Sequence, residues 1–279
     1  MLIEKNQIFK RENNKPILID TFYQENKTKQ PIVVFCHGYK GFKDWGAWDH
    51  MAKSIAKAGF CFIKFNFSHN GGTMENPIDF PDLEAFGNNN YTKELDDLDD
   101  VIYWAIAKFK ENVYVSENNI NLIGHSRGGG ISIIKASEDE RIKNLITLAS
   151  VCDFAKRTAT IGDLKKWKEN GVKYVINGRT KQQMPHYYQF YEDFKANEER
   201  LNIESAEKRL QIPHLIIHGD KDTSVNIDEA YSLHRWNPHS HIQIIEGADH
   251  VFNIRHPWTK EVVTNEFSEA ISHMVNFMQ

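Results

Sequence analysis

The stretch NINLIGHSRGGG, residues 119–130, joins an apolar run to three successive glycines. Its first half, residues 119–123, predicts a buried strand, and the glycines at 128–130 predict that a helix opens directly after it. Between them, residues 124–128 match G-x-S-x-G, the pattern of a sharp strand-to-helix turn that exposes a serine Oγ at the top of a sheet. Glycine suits such a turn because a side chain would clash where the backbone folds tightly. The pattern predicts Ser126 as a nucleophile, and a glycine-rich turn with an incidental serine is the alternative.

Short apolar runs alternate with longer amphipathic stretches on both sides of this turn. The runs predict strands at residues 31–36, 60–67, 119–123, 145–149, 214–218 and 242–245. Apolar residues at helical spacing predict helices within residues 45–56, 95–109 and 258–275. This alternation is typical of an α/β protein with a mostly parallel central sheet and helices on both faces. Residues 16–23 predict an additional antiparallel strand at the sheet edge.

The chain shows no internal repeat and no Pro/Gly-rich linker, which predicts a single domain over residues 1–279. One segment, about residues 152–211, interrupts the alternation of strands and helices. An insertion of this length is more typical of a functional cap than of a simple connection. Within it, Val172 to Ile176 followed by Asn177-Gly178 predicts a hairpin with a type I′ turn. Residues 190–201 predict a helix.

The predicted cap is rich in aromatic residues. It leaves the C-terminal edge of the sheet, where ligands bind in open α/β folds, so we expect it to arch over Ser126. Tyr187, Tyr188 and Tyr191 are therefore candidate substrate-binding residues. The alternative is that these rings only attach the insertion to the sheet.

A nucleophilic serine needs a base, and the base needs an orienting carboxylate. His250 follows the last predicted strand and is the candidate base. Asp220 and Asp222 both lie in the loop that follows another apolar strand. Asp222 is the candidate acid because it lies further into this loop, and we expect Asp220 to brace the turn. Asp249 is adjacent to the base and cannot easily fold back onto its imidazole. The resulting chain order is Ser126, Asp222, His250.

Four other histidines lie near the predicted site. His37 and His218 stand at strand ends and are expected to make structural hydrogen bonds. His125 is the backbone neighbour of Ser126 and is expected to point elsewhere. His69 lies in a predicted loop. We therefore keep His250 as the base.

Four motifs stand in the order that an established superfamily uses: HGYKGFKDW at residues 37–45, GHSRGG at 124–129, HGDKDTSV at 218–225 and GADH at 247–250. Over nearly its whole length the chain resembles the α/β-hydrolase superfamily. Within it, the chain resembles bacterial serine esterases of the cinnamoyl and feruloyl esterase type and acyl-peptidase-like hydrolases. The resemblance implies the α/β-hydrolase fold and an oxyanion hole formed by the backbone N–H groups of Tyr39 and Arg127.

The chain departs from the superfamily pattern after the second predicted strand. SHNGG, residues 68–72, stands where many relatives have an Asp-x-Arg-Gly-x-Gly stretch. The departure leaves the predicted triad intact and concerns the wall on the substrate side. Two alternatives remain open for residues 73–90, which either line the site or only cover the sheet.

Composition excludes several classes of protein. The chain has 279 residues, of which 41% are hydrophobic and 26% charged, as in soluble globular proteins. A net charge of −4 without a basic block argues against nucleic acid or an anionic membrane as a partner. No run reaches the roughly 20 apolar residues of a membrane span, and the first residues lack a signal-peptide pattern. We expect a cytoplasmic protein; the oligomeric state stays open.

Metal and cofactor sites are not expected. The three cysteines form no CxxC pair, and Cys36 and Cys61 lie inside apolar runs. His214 and His218 lie four residues apart on one predicted strand, roughly 13 Å, which is too far to share an ion. Gly71-Gly72 lacks the rest of a phosphate-binding loop.

These observations predict a serine hydrolase that cleaves carboxylic esters through an acyl-enzyme intermediate. Aromatic rings with hydroxyl groups in the cap favour short or medium acyl esters or aromatic esters as small-molecule substrates. One alternative is a peptidase of acylaminoacyl or dipeptidyl type, for which Glu75, Glu84 and Arg179 are candidate groups to bind a peptide end. The other is a non-catalytic binding protein on the same fold.

Overall fold

The computed structural model describes residues 1–12, 14–25, 28–159 and 162–279. The strands are β1 Leu2–Arg11, β2 Asn14–Tyr23, β3 Gln30–Cys36, β4 Cys61–Phe65, β5 Val115–His125, β6 Ile142–Leu148, β7 Val172–Ile176, β8 Gln183–Tyr187, β9 His214–Gly219 and β10 His241–Ile245. The helices are α1 Trp48–Lys57, α2 Leu83–Gly87, α3 Tyr91–Phe109, α4 Arg127–Glu138, α5 Phe154–Ala159, α6 Leu164–Asn170, α7 Gln189–Ala196, α8 Ile203–Arg209, α9 Ile227–Trp236 and α10 Asn265–Met278.

In the described chain, the central sheet has eight strands in the order β1-β2-β4-β3-β5-β6-β9-β10. The β1–β2 and β2–β4 pairs are antiparallel, and the strands from β4 to β10 pair in parallel. The predicted fold class, a mostly parallel sheet with helices, is confirmed. Parallel strands present their carboxyl ends at one edge, so the loops after β3, β5, β9 and β10 meet there.

The two faces of the sheet bury different side chains because neighbouring residues of a strand point to opposite sides. Along β3, Ile32 and Val34 pack with α3, α4 and α9 on one face. Val33 and Phe35 pack with α1 and α10 on the other. Both faces are covered, which explains why the central strands are continuous apolar runs rather than alternating ones.

The edge of the sheet differs from the prediction. The predicted edge strand, observed as β2, lies inside the sheet, because the N-terminal residues form β1 and pair with it. That segment alternates half-buried and exposed residues, including Glu4, Lys5 and Lys10. Charged residues are common on edge strands because they discourage pairing with other chains. Because of these charged residues, the segment lacks the apolar run that would predict a strand.

The closing helix is shorter than predicted. It begins at Asn265, after the N-cap Thr264, whose hydroxyl accepts a hydrogen bond from the amide of Phe267. Trp258 and Val263 still pack on the α1–α10 side of the core, but from a segment without regular secondary structure. Their apolar spacing reflects this packing rather than a helix.

The segment predicted as a cap contains α5 to α8 and the antiparallel β7–β8 hairpin. The hairpin is observed, but its loop runs from Asn177 to Gln182 rather than through a two-residue turn. The Asn177 side chain accepts hydrogen bonds from the amides of Arg179 and Thr180, which winds the chain into a longer loop. The predicted helix at 190–201 is observed as the shorter α7.

None of the helices in the described ranges combines the length and the apolar character needed to cross a membrane.

Candidate active site

Ser126 lies at the turn between β5 and α4. Its backbone has φ 57° and ψ −119°, an uncommon conformation for a residue with a side chain. A Cβ on Gly124 would lie 2.3 Å from the carbonyl oxygen of Gly128, and a Cβ on Gly128 would lie 2.4 Å from that of Cys36. The flanking glycines therefore allow the start of α4 to pack directly on β3, while the serine takes the strained position.

The loops after β9 and β10 bring the other two predicted residues to this turn. The Nε2 atom of His250 is 3.1 Å from Ser126 Oγ, and its Nδ1 atom is 2.7 Å from Asp222 Oδ2. One imidazole thus contacts the hydroxyl and the carboxylate on opposite sides. The structure brings these three residues together, although His250 is 124 residues from Ser126 and 28 residues from Asp222 along the chain.

The Asp222 carboxylate is held by more than the imidazole. Its Oδ1 atom accepts hydrogen bonds from the amides of Ser224 and Val225 at 2.8 and 2.9 Å. His218 Nε2 lies 3.3 Å from Oδ2. Burial raises the pKa of Asp222, but hydrogen bonds from His218 and His250 outweigh it and leave the pKa below its ordinary value. The carboxylate is therefore ionised and oriented towards His250.

The remaining histidines of this edge make structural contacts. His37 Nδ1 lies 2.9 Å from the Gly38 carbonyl, and burial lowers the pKa of His37 to about 4. His125 Nε2 donates to the carbonyl of His250 at 2.9 Å, and its ring lies 4.8 Å from the His250 ring. Burial lowers the pKa of His125 to about 3, so it is neutral near pH 7. His69 lies against Ser68.

Asp220 and Asp249 are engaged elsewhere, as the sequence predicts. Asp220 accepts a hydrogen bond from the amide of Gly247 at 2.7 Å and braces the loop after β10 against the loop after β9. Asp249 accepts from the amide of Asn253 and pairs with Arg255. Neither carboxylate is hydrogen-bonded to the His250 ring.

Two backbone amides lie beside Ser126. Arg127 is the first residue of α4, so its amide has no helical carbonyl to bond. Gly38 approaches Ser126 so closely that a Cβ on it would lie 2.8 Å from Ser126 Cβ, which places the next residue, Tyr39, at the site. In the described part of the chain, neither amide donates a hydrogen bond to another backbone or side-chain group. A role of these two amides as oxyanion donors stays a prediction.

The side chains of Tyr39 and Arg127 also contact each other. The Arg127 guanidinium lies 4.4 Å from the Tyr39 ring centroid and forms an ion pair with Glu94 at 3.3 Å. The Tyr39 hydroxyl is hydrogen-bonded to His186 Nε2 of the cap at 2.9 Å. Burial raises the pKa of Glu94, and the positive charge of Arg127 opposes that rise. The cap, the loop after β3 and α4 are therefore joined at the site by side chains.

Comparison with known proteins identifies the family. The profile of the alpha/beta hydrolase fold family matches residues 31–170, which is half of the chain. The chain belongs to the alpha/beta hydrolase family. Among curated proteins, the chain is 28% identical over 148 residues to "Uncharacterized peptidase YtmA" of Bacillus subtilis, covering 53% of this chain and 51% of that protein. It is 26% identical over 129 residues to a 31.7 kDa protein of Escherichia coli, covering 46% and 40%. The matches therefore span only about half the length of these relatives.

Solved structures share the fold over nearly the whole chain. Est1E from Butyrivibrio proteoclasticus superposes with a TM-score of 0.71 at 15% identity, over 99% of both chains. The structure of Est1E with bound ferulic acid superposes with a TM-score of 0.73 at 17% identity, over 98% of this chain and 97% of that chain. A putative hydrolase from Agrobacterium vitis superposes with a TM-score of 0.73 at 16% identity, over 100% of this chain and 99% of that chain. The predicted resemblance to the α/β hydrolases is confirmed.

A cavity of about 440 Å³ opens beside Ser126. The cap contributes Phe154 and Arg157 from α5 and Val175 and His186 from the β7–β8 hairpin to its wall. The other lining residues come from the loop after β3, from α3, from the turn into α4 and from the loops after β6, β9 and β10: Tyr39, Lys40, Tyr91, Ser126, Arg127, Val151, Ser224, Val225 and His250. A smaller cavity of about 130 Å³, partly lined by Trp45 and Trp48, also reaches Ser126.

The three tyrosines predicted to bind substrate lie outside this lining. The Tyr187 hydroxyl donates to Glu84, and its ring packs on Gly87. The rings of Tyr188 and Tyr191 lie 5.7 and 6.3 Å from that of Trp167 and pack on the core. The structure does not place these side chains in the cavity wall, because Tyr187 at the end of β8 turns towards Glu84, and Tyr188 and Tyr191 at the start of α7 turn towards Trp167. Among described residues, the cap lines the cavity through the hairpin and through Phe154 and Arg157 of α5.

Sequence reasoning did not assign Lys40, Tyr91, Phe154, Arg157, Val175 or His186 to the site. Tyr91 and Phe154 stack with ring centroids 3.9 Å apart and form an aromatic wall. No motif marks these positions. Only the position of Lys40 within HGYKGF, next to the predicted oxyanion donor, could have indicated one of them.

None of residues 73–90 lines the large cavity, in the part of the chain described. Phe80 and Phe86 pack with Phe42 and Met184 in a small cluster. This cluster joins the segment to the loop after β3 and to β8. It therefore supports both walls of the site from behind.

One group of carboxylates has the spacing of a metal site. Single oxygen atoms of Asp20, Asp44 and Asp49 lie within 4.8 Å of one another. The ammonium groups of Lys43 and Lys64 lie among them, and Lys64 contacts all three carboxylates at 3.2, 2.5 and 2.5 Å. These lysines supply the positive charge that a cation would bring, so the residues present do not fit a metal ion.

Proposed function

We propose that this α/β hydrolase is a serine hydrolase that cleaves carboxylic esters through an acyl-enzyme intermediate. The observation that carries the proposal is the hydrogen-bonded line from Ser126 Oγ through the His250 imidazole to the Asp222 carboxylate. Three groups in this order are what a serine needs to lose its proton as it attacks a carbonyl carbon.

The reaction follows from these contacts. Ser126 Oγ attacks the ester carbonyl while His250 Nε2 accepts its proton. The negative charge that develops on the carbonyl oxygen is stabilised by the amides of Tyr39 and Arg127. The imidazolium formed is stabilised by the ionised Asp222 and then gives its proton to the departing alcohol oxygen. Water, deprotonated by His250, attacks the acyl-serine and releases the acid.

The cavity supports short or medium acyl or aromatic esters as substrates. Tyr91 and Phe154 provide flat apolar surface, and Val151 and Val225 narrow the space. A volume of about 440 Å³ accommodates an aryl or medium acyl group. The aromatic surface comes from α3 and α5 rather than from the predicted tyrosines.

The test is ester hydrolysis by matched variants. We expect the chain to hydrolyse para-nitrophenyl acetate and butyrate. Ser126→Ala should lower kcat/KM by roughly 10³-fold or more. Ser137→Ala, at the other end of α4 with its hydroxyl bonded to the Ile134 carbonyl, is the control and should retain activity. Full activity in Ser126→Ala would refute the proposal.

Amide hydrolysis is a second candidate, favoured by the similarity to the peptidase YtmA. A dipeptidyl peptidase would need an acidic group at the site to bind the peptide amine. No Asp or Glu lines the large cavity among the described residues. Glu84 is bonded to Tyr187 and Arg179 to Asp79, so these candidate groups are engaged outside it. Cleavage of an aryl amide faster than the matching ester would favour this candidate.

A further inference from the structure

The large cavity has a positively charged wall. Its charged lining side chains in the described chain, apart from the histidines, are Lys40, Arg127 and Arg157, and no carboxylate accompanies them in the lining. The chain as a whole carries a net charge of −4. The cavity is therefore opposite in sign to the rest of the molecule. Low-dielectric walls concentrate such a field on a bound ligand.

Two of these cations have carboxylate partners behind the wall. Arg127 pairs with the buried Glu94. Arg157 pairs with Glu229 and also donates to the carbonyl of Ser224. The charge of each guanidinium is therefore balanced locally.

Lys40 differs from the two arginines. No carboxylate of the described residues lies within 4.0 Å of its ammonium group, which instead lies 4.9 Å from the centroid of the Tyr39 ring. A cation–π contact stabilises the charge but does not neutralise it. Burial lowers the pKa of Lys40, and the positive charge of Arg127 lowers it further. A negative charge bound nearby would relieve both effects.

Lys40 also occupies a central position at the site. It follows Tyr39, the candidate oxyanion donor, and has a left-handed backbone conformation with φ 54°. It lines both cavities that reach Ser126. Its ammonium group can therefore meet a substrate from either half of the ester.

We propose that the ester cleaved at Ser126 carries a carboxylate, and that this carboxylate pairs with Lys40. This inference rests on the proposed serine hydrolase function. A single positive charge without a counter-ion matches a monoanion, and the second charge of a dianion would have no partner here. The carboxylate belongs either to the acyl half, as in a monoester of a dicarboxylic acid, or to the alcohol half, as in an ester of a hydroxybenzoic acid.

The test compares charged and neutral esters of the same size. For the acyl half, the para-nitrophenyl monoester of adipic acid is compared with para-nitrophenyl hexanoate. For the alcohol half, para-acetoxybenzoate is compared with para-acetoxybenzamide. In at least one pair, we expect kcat/KM to be about 10-fold higher for the anion at low salt, as one ion pair can provide. This preference should decrease as ionic strength rises.

Lys40→Met keeps the length of the side chain and removes its charge. We expect it to lower the ratio of anionic to neutral kcat/KM by about 10-fold in the preferred pair. Lys53→Met, on the exposed side of α1, is the matched control and should leave the ratio unchanged.

The outcomes separate this inference from the function on which it rests. If the neutral esters are hydrolysed and the anionic esters are not preferred, the proposal of a substrate carboxylate is overturned, but the hydrolase function is not. A preference that Lys40→Met does not reduce would equally reject the role of Lys40. Absence of hydrolysis of every ester would overturn the hydrolase function, and the inference with it.

Discussion

Asp222 and Asp220 lie two residues apart, yet their carboxylates face different partners. Asp222 contacts the His250 imidazole at 2.7 Å, while Asp220 accepts from the amide of Gly247. Asp222→Asn should lower kcat/KM for an ester by about 10³-fold or more, because an amide no longer holds the imidazole in its tautomer or stabilises its charge. Asp220→Asn is the control and should retain most activity. The reverse ranking would show that Asp220 is the acid.

At the level of residues, the sequence predicted which side chains meet but not what surrounds them. Ser126, Asp222 and His250 follow strands, and strand ends of a parallel sheet converge, so their proximity could be inferred. His218 could not be assigned to Asp222, because the contact depends on how the loop after β9 turns back. The positions of the cap tyrosines could not be inferred, because spacing alone does not show that Tyr187 ends β8 or which side of the start of α7 meets the core.

Among the elements, the β7–β8 hairpin and α5 are the parts of the cap that line the cavity. Val175 lines the cavity, while Ile176, the next residue of the same strand, is 60% exposed. Val175→Trp should fill part of the cavity and raise KM for a bulky aryl ester more than for an acetate, because the larger group needs the lost space. Ile176→Trp, on the opposite face, should change neither KM. Equal effects of the two substitutions would exclude the hairpin from the substrate site.

The strands of the central sheet were more predictable than the cap. Buried strands such as β3 and β9 are short apolar runs between turn signals, and their observed bounds lie within two residues of the predicted ones. The exposed β1 carries charged residues and resembles a loop in sequence. The loop of the hairpin depends on the side-chain hydrogen bonds of Asn177, which a two-residue turn signal does not reveal. Buried elements can be predicted from their apolar runs, whereas exposed elements lack this signal in the sequence.

For the whole molecule, buried neutral histidines predict a loss of stability in acid. Burial lowers the pKa of His37 to about 4, of His125 to about 3 and of His186 to about 3. An unfolded histidine titrates near about 6.5, so the unfolded state binds more protons below that pH. The contribution of these neutral histidines to the free energy of unfolding should be fully present above about pH 6.5 and should decrease as the pH falls towards 4. Burial also raises the pKa of Glu94, of Asp96 and of Asp97, the last to about 6, and these carboxyl groups oppose part of the trend.

Thermal unfolding between pH 7.5 and 5 measures this effect. The Tm of the chain should fall over this interval. His37→Asn, whose amide can replace the donor to the Gly38 carbonyl, should lower the Tm at pH 7.5 but reduce its dependence on pH. A Tm that stays constant from pH 7.5 to 5 would show that these histidines are not buried as neutral groups.

The central claim is that Ser126 is an activated nucleophile. A fluorophosphonate reacts covalently with such a serine, and mass spectrometry of the labelled peptides locates the adduct. We predict one adduct, on Ser126, lost in Ser126→Ala, strongly reduced in His250→Ala and retained in Ser137→Ala. No adduct on the folded chain, or an adduct on Ser126 that forms equally fast without His250, would contradict the account.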